Sequence, residues 1–246
     1  MTKGIKAEII NNFNEAAVTY DEHAAIQKQT AIHLFAQMQM LKPKSILEIG
    51  CGTGFLTQLM QEHFSDSTYY ISDIAGNMLE RCRQKQDSPT SNFFVADGEL
   101  LPISKKLDLI ASNLTFQWFQ DFETALFNLS RQAKTLAFST LLDGTFSGWR
   151  QKHTELGIKE NALAMQSIEQ LEMLCKKFSN KGYDIITKTI TVKFNNASEF
   201  IKSLRYIGAV ATSCKYSPSC LKKLLKAFTQ GITINYDVAH CVLQNS

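Results

Sequence analysis

Apolar residues in the first forty positions recur at helical spacing. Ile5, Ile9, Ile10, Phe13 and Ala17 form one stripe, and Ala24, Ala31, Leu34, Phe35 and Met38 form a second that Pro43 stops. Two helices are therefore expected before the first strand. From there the pattern alternates between short apolar runs and amphipathic stretches. It predicts a strand at 45–49, a helix at 54–64, a strand at 68–72, a helix at 76–85, strands at 92–96 and 107–112, a helix at 121–132 and a strand at 135–140. Strands separated by helices pair in parallel through right-handed crossovers. Beyond Thr140 the pattern gives helices at 145–156 and 167–178, a long alternating strand from Tyr183 to Phe194, a helical insert at 197–230 and a last strand-like stretch from Ile232 to Val242.

The expectation is a single α/β domain over 1–246 with a mostly parallel sheet and helices on both faces. It divides into an N-terminal helical cap at 1–42, one half at 43–142 and a C-terminal half at 143–246. The insert at about 197–231 is read as a lid over the carboxyl ends of the strands, where open α/β sheets bind ligands.

Composition narrows the function. A 246-residue chain with 44% hydrophobic residues can bury one large core, and a net charge of +3 without a basic run argues against nucleic acid. Cys51, Cys82, Cys175, Cys214, Cys220 and Cys241 show no C-x-x-C pair or zinc-like spacing, so reduced thiols and no metal are expected. The N-terminus has no signal-peptide core and eighteen apolar residues never run together, which leads to the expectation of a cytoplasmic protein without membrane association.

The chemistry centres on Ile46-Leu-Glu-Ile-Gly-Cys-Gly-Thr-Gly-Phe-Leu-Thr57, a strand, a tight turn and a helix start. Gly50, Gly52 and Gly54 let the backbone lie directly against a ligand. The spacing G-x-G-x-G differs from the dinucleotide fingerprint G-x-G-x-x-G, so a pyrophosphate is not the expected guest. Asp73 ends the second strand 23 residues after Gly50, near the spacing of an acid that reads ribose hydroxyls; the alternative is a helix cap for the segment from Gly76. Asp97, in Val95-Ala-Asp-Gly-Glu99, ends the third strand, as a ligand group or as a turn residue.

The stretch Leu47-Glu-Ile-Gly-Cys-Gly-Thr-Gly54 resembles the first motif of class I S-adenosylmethionine-dependent methyltransferases. Phe13-Asn-Glu-Ala-Ala-Val-Thr-Tyr20-Asp-Glu-His23-Ala-Ala-Ile-Gln27 resembles the amino-terminal signature of the biotin-pathway malonyl-acyl-carrier-protein O-methyltransferase family. Ser112-Asn-Leu with Gln117-Trp118, Phe138-Ser-Thr-Leu-Leu-Asp-Gly144, Ser203-Leu-Arg-Tyr-Ile-Gly-Ala209 and Thr233-Ile-Asn-Tyr236 follow in that family's order, so the resemblance spans nearly the whole chain. Two departures are visible: Arg131-Gln-Ala-Lys134 lacks the usual Pro and glycines before the fifth strand, and Ala75-Gly76 replaces a common Ser-Pro.

The resemblance implies a Rossmann-like seven-stranded sheet and S-adenosyl-L-methionine as cofactor, released as S-adenosyl-L-homocysteine. It implies Glu48 fixing the turn and meeting the cofactor's ammonium, and Asp97 at the adenine amine. Tyr20, His23, Gln27, Gly50, Cys51, Gly52, Gly54, Asp73, Ile74, Met78, Gly98, Glu99, Asn113 and Leu114 complete the implied cofactor shell. Gln117, Trp118, Arg205 and Tyr206 are the implied substrate contacts, with Tyr20, Arg205 and Lys202 as the catalytic candidates.

The implied reaction methylates the free carboxylate of a malonyl thioester, on an acyl-carrier protein or on coenzyme A. That carboxylate is ionised at pH 7, so no general base is needed. A buried carboxylate needs a cation, and a guanidinium fork makes Arg205 the first choice and Lys202 the second; the alternative for Arg205 is a solvated lid residue. From Phe200 to Tyr236 the chain carries Lys202, Arg205, Lys215, Lys222, Lys223 and Lys226 and no acid. That one-sign segment is a docking face for an acidic carrier protein, or a helix face kept soluble by its lysines. Competing readings are a methyltransferase for another small carboxylate or a quinone-like ring, and a cofactor-binding regulator without turnover.

Overall fold

A computed structural model describes residues 3–86, 88–101, 105–159, 163–210 and 217–246. The helical start comprises α1 (Lys3–Ala16), the single turn α2 (Tyr20–His23) and α3 (Ala25–Met38). The two expected helices are α1 and α3; the extra turn α2 is set off from α3 by Ala24, whose backbone leaves the helical region at φ −92°, ψ 38°. The core unit follows as β1 (Ser45–Ile49), α4 (Phe55–His63), β2 (Thr68–Asp73), α5 (Gly76–Lys85), β3 (Ser91–Val95), β4 (Leu107–Asn113), α6 (Phe122–Gln132) and β5 (Ala133–Leu141). The C-terminal half is α7 (Ser147–Glu155), α8 (Ile168–Phe178), β6 (Gly182–Phe194), α9 (Ala197–Tyr206), α10 (Pro218–Ala227) and β7 (Ile232–Gln244).

The sheet has the order β3-β2-β1-β4-β5-β7-β6, parallel except for β7, which runs against both neighbours. Side chains alternate between two cores. Leu47, Ile49, Ile110, Leu136 and Phe138 pack under α6 and α8, whereas Ile46, Leu109, Ala111 and Ala137 pack under α3, α4 and α5. Both faces are covered, which explains why the parallel strands read as continuous apolar runs rather than alternating ones. The departure at 131–134 has a simple outcome: α6 passes into β5 with no residue between them, so β5 begins two positions before the expected 135.

Two features position the site. The strand order reverses between β1 and β4, which opens a crevice at the carboxyl ends of the strands. In addition, β6 and β7 remain paired as far as Phe194 and Ile232, six positions beyond the last β5 partner of β7 at Val238. This overhanging hairpin carries α9 and α10 past the tips of the parallel strands. Each lid helix has its own start signal: Asn196 accepts from the Glu199 N–H, and Ser217, just before Pro218, accepts from the Cys220 N–H. Their apolar residues Ala197, Phe200 and Leu224 join Leu114, Ile232, Ile234 and Tyr236 in a third core. Lys215 and Cys214 lie outside the described residues. Of the other cysteines, Cys51, Cys82, Cys175 and Cys241 are buried thiols and Cys220 is partly exposed. Among the described residues no helix is long and apolar enough to cross a membrane.

His240 on β7 is fully buried and faces His33 of α3, with ring centroids 5.6 Å apart. Burial holds the His240 imidazole down at about 4, aided by the neighbouring His33 and Lys188 and opposed by backbone carbonyls. The unfolded chain therefore takes up a proton near pH 6.5 that the folded chain refuses until about 4. Stability is unaffected above pH 6.5 and falls by about 3 kcal/mol as pH drops to about 4. Denaturant unfolding from pH 7 to 4 should show this loss, and His240→Leu should flatten it.

Candidate active site

The β1–α4 turn is the floor of the site. Its Gly50, at φ 69°, lies so close to the β4 loop that a Cβ would come within 2.2 Å of Thr115 Oγ1, so only glycine fits. Gly50 N–H and Cys51 N–H both donate to the Ser72 carbonyl, at 2.8 and 3.0 Å, and Gly52 N–H donates to Asp73 Oδ2 at 2.8 Å. The turn is thus pinned to the tip of β2. Asp73 Oδ1 accepts from Ala75 N–H at 2.8 Å, as the helix-cap reading expects, and one carboxylate thus holds the start of α5 and the glycine turn together. Each oxygen keeps a further lone pair for hydroxyl donors. Burial raises the Asp73 carboxyl to about 6, against the pull of the Ala75, Gly52 and Ile74 N–H groups.

A cleft opens above this floor. Of the residues expected there, Tyr20, Gly50, Gly52, Asp73, Ile74 and Met78 line it on one side, and Asp97, Gly98, Asn113, Leu114 and Trp118 on the other. Asn113 is locked: its Oδ1 accepts from Ser139 Oγ at 2.7 Å and its Nδ2 donates to the Gln27 carbonyl at 3.0 Å. Leu114 takes a left-handed conformation at φ 52°, held by Ser139, whose carbonyl and Oγ both accept its N–H. A non-glycine residue in that region marks strain kept for a purpose, here turning the chain so that Leu114 faces the cleft. Burial, with Asp73 nearby, pushes the Tyr20 hydroxyl well above its ordinary range, so it stays a donor at neutral pH.

Other expected residues stand apart from the cleft. Glu48 is 1% exposed beneath the turn, where it accepts from Thr57 Oγ1 at 2.6 Å; burial raises its carboxyl far above the usual range. Glu48 therefore stands beneath the turn rather than among the residues that line the cleft. Position 48 has the parity of Ile46, which packs on the α3–α4 side, so the side chain points under α4 and not toward the mouth. Cys51 is buried with its thiol toward the Gly52 carbonyl, and Gly54 is the N-cap of α4. Gln27 acts through its backbone on Asn113, and Gln117 Nε2 braces the Leu114 carbonyl at 2.8 Å. His23 stacks on Tyr206 at 4.2 Å, both outside the cleft. Lys202 and Arg205 lie on the solvent face of α9, because its apolar face is committed to the third core. Arg205 instead lines an outer groove with Glu15, Thr19 and Tyr206.

Sequence reading missed the roof. Lys6, Ile9, Ile10 and Phe13 of α1 face the cleft, and Phe13 meets Trp118 edge-on with ring centroids 5.3 Å apart. Their spacing i, i+3, i+4 and i+7 was the available signal: Lys6 is a cation set in the apolar stripe. Lys6 is ion-paired with Asp97 and donates to Glu99 Oε2 at 2.6 Å. The arrangement offers carboxylate acceptors at two strand tips, bare backbone between them and an apolar roof, which suits a nucleoside with a cationic tail.

A family profile described as "Methyltransferase domain" matches residues 47–136. The chain is 31% identical to the malonyl-[acyl-carrier protein] O-methyltransferase of Bacillus cytotoxicus, an alignment covering 93% of this chain and 86% of the relative. It is 30% identical to the enzyme of the same name from Priestia megaterium, over 95% and 94%. Among solved structures, the protein bound to the Haloferax volcanii methyltransferase activator Trm112 superposes with a TM-score of 0.64 at 15% identity, covering 97% of this chain and 98% of that one. The chain belongs to the malonyl-[acyl-carrier protein] O-methyltransferase family, within the class I S-adenosylmethionine-dependent methyltransferases.

Proposed function

We propose that this protein methylates the free carboxylate of a malonyl thioester carried on an acyl-carrier protein, using S-adenosyl-L-methionine. The observation that carries the reading is the glycine turn pinned by Asp73 at the floor of a roofed cleft, in a chain aligned over most of its length with enzymes of that name. The residues fit the cofactor. Asp73 retains lone pairs for ribose hydroxyls, Gly50 and Gly52 present bare backbone, and Asp97 faces the cleft as an acceptor for an amine. When bound, the sulfonium supplies a methyl group to the attacking oxygen and keeps the sulfur electron pair.

The protein's part is placement. No proton moves, because the substrate is already a carboxylate at neutral pH. Opposite charges cancel as the ester forms, so the apolar walls from Ile9, Ile10, Phe13, Met78 and Trp118 help by excluding water. Holding oxygen, methyl carbon and sulfur in line supplies the rest of the rate. In this proposal Arg205 holds the carboxylate, its side chain turning inward from the groove beside Thr19 and Tyr206. Methylation hides a charge that apolar chain-elongation sites of the biotin pathway would otherwise have to desolvate.

The carrier protein, rather than coenzyme A, is favoured by the lid. Lys202, Arg205, Lys222, Lys223 and Lys226 are exposed, and among the described residues none forms an ion pair. Lys222 and Lys226 flank an apolar groove formed by Pro218, Leu221 and Leu225, a shape for an acidic amphipathic helix. The test is a mass measurement on malonyl-loaded carrier protein after incubation with cofactor, with malonyl-coenzyme A in parallel. One added methyl is expected, faster on the carrier. Replacing Lys222, Lys223 and Lys226 together by alanine should raise the KM for the carrier about tenfold at low salt, with a smaller effect at high salt. A shift with neither thioester would leave a different small carboxylate or a quinone-like acceptor as the reading.

A further inference from the structure

We propose that Lys6 is a positioning residue that latches α1 across the cleft, so that cofactor enters and product leaves only when its contacts with Asp97 and Glu99 open. The inference rests on the cofactor reading above but concerns a residue that reading does not use. Lys6 Nζ lies between two carboxylates, and all three side chains are at most 22% exposed. Its anchor is rigid. Glu99 Oε1 accepts from the N–H groups of Gln120 and Asp121 at 2.8 and 3.0 Å, and Asp97 Oδ1 accepts from Glu99 N–H at 3.1 Å.

The two ends of α1 are held differently. Its C-terminal half is fixed on both sides: Asn14 Oδ1 accepts from Asn77 N–H at 2.9 Å, and Asn12 Nδ2 donates to the Val210 carbonyl at 3.1 Å. Gly208 lies so close that a Cβ there would come within 2.9 Å of the Asn12 carbonyl. Toward the N-terminus, the side-chain polar contacts of α1 among the described residues are those of Lys6. Ile9, Ile10 and Phe13 share its face, so the turn that carries the latch also carries the roof. A nucleoside seated between Asp73 and Asp97 lies beneath that roof, and its exchange requires the free end of α1 to lift. Asp97 serves both roles, facing the cleft and holding Lys6.

Release of radiolabelled S-adenosyl-L-homocysteine, chased with excess unlabelled compound, tests this on the full chain. Lys6→Gln should release it about tenfold faster, and Lys6→Arg should behave like the natural protein. Raising salt should speed release from the natural protein and from Lys6→Arg while leaving Lys6→Gln unchanged; a merely structural lysine would not produce that difference. Equal and salt-insensitive release from the natural protein and Lys6→Gln would overturn the latch, whether or not the variant is less stable. A natural protein that retains no S-adenosyl-L-homocysteine would instead overturn the cofactor reading.

Discussion

Asp73→Ala is expected to weaken S-adenosyl-L-homocysteine binding about a hundredfold in calorimetry. The carboxylate accepts from Gly52 N–H and Ala75 N–H, so its removal frees the glycine turn from β2 as well as deleting the acceptor for the ligand. Two charge-assisted hydrogen bonds at about 1.5 kcal/mol each give about 3 kcal/mol, which is about a hundredfold in affinity. Asp73→Asn keeps one acceptor and should lose about tenfold. Affinity should also fall as pH drops through about 6, where the raised Asp73 carboxyl takes up its proton. The sign for stability is opposite. A folded value raised from 3.8 to about 6 stabilises the fold fully below pH 3.8, and that contribution is lost as pH rises through 6. The ionised form therefore destabilises the empty protein at neutral pH and is kept for binding. Asp73→Asn should abolish the pH dependence of binding between 5 and 7; a persisting dependence would assign it to another group.

Arg205→Ala is expected to lower kcat/KM for the malonyl thioester about a thousandfold while leaving cofactor affinity within about twofold. Truncating the partner of a desolvated carboxylate costs about 4 kcal/mol, because the substrate charge is left buried and alone. Arg205→Lys should recover part of the rate, since an ammonium restores the charge without the two-pronged fork. Lys202→Ala should have the smaller effect. Malonyl turnover by Arg205→Ala near the natural rate would remove Arg205 from the role and direct attention to cations that line the cleft. The structure gives this test its point: Arg205 occupies an outer groove, so its part in turnover requires a side-chain movement that cofactor binding does not.

The alternation of apolar runs and amphipathic stretches determined the sheet, its parallel core and the glycine turn, because each of these depends on spacing within a few residues. Asp73 and Asp97 were legible for the same reason: a short acidic residue at a strand's end has few places to go. Other features rested on contacts between segments far apart in the chain. Strand parity sent Glu48 beneath α4, though the motif alone suggested a ligand contact. The apolar face of α9, committed to the third core, turned Lys202 and Arg205 outward. Lys6 gained its meaning only when α1 folded back on a strand tip 91 positions later in the sequence. Local periodicity fixes which face of an element is buried, but what that face meets is decided by packing, and it was packing that built the roof of this site.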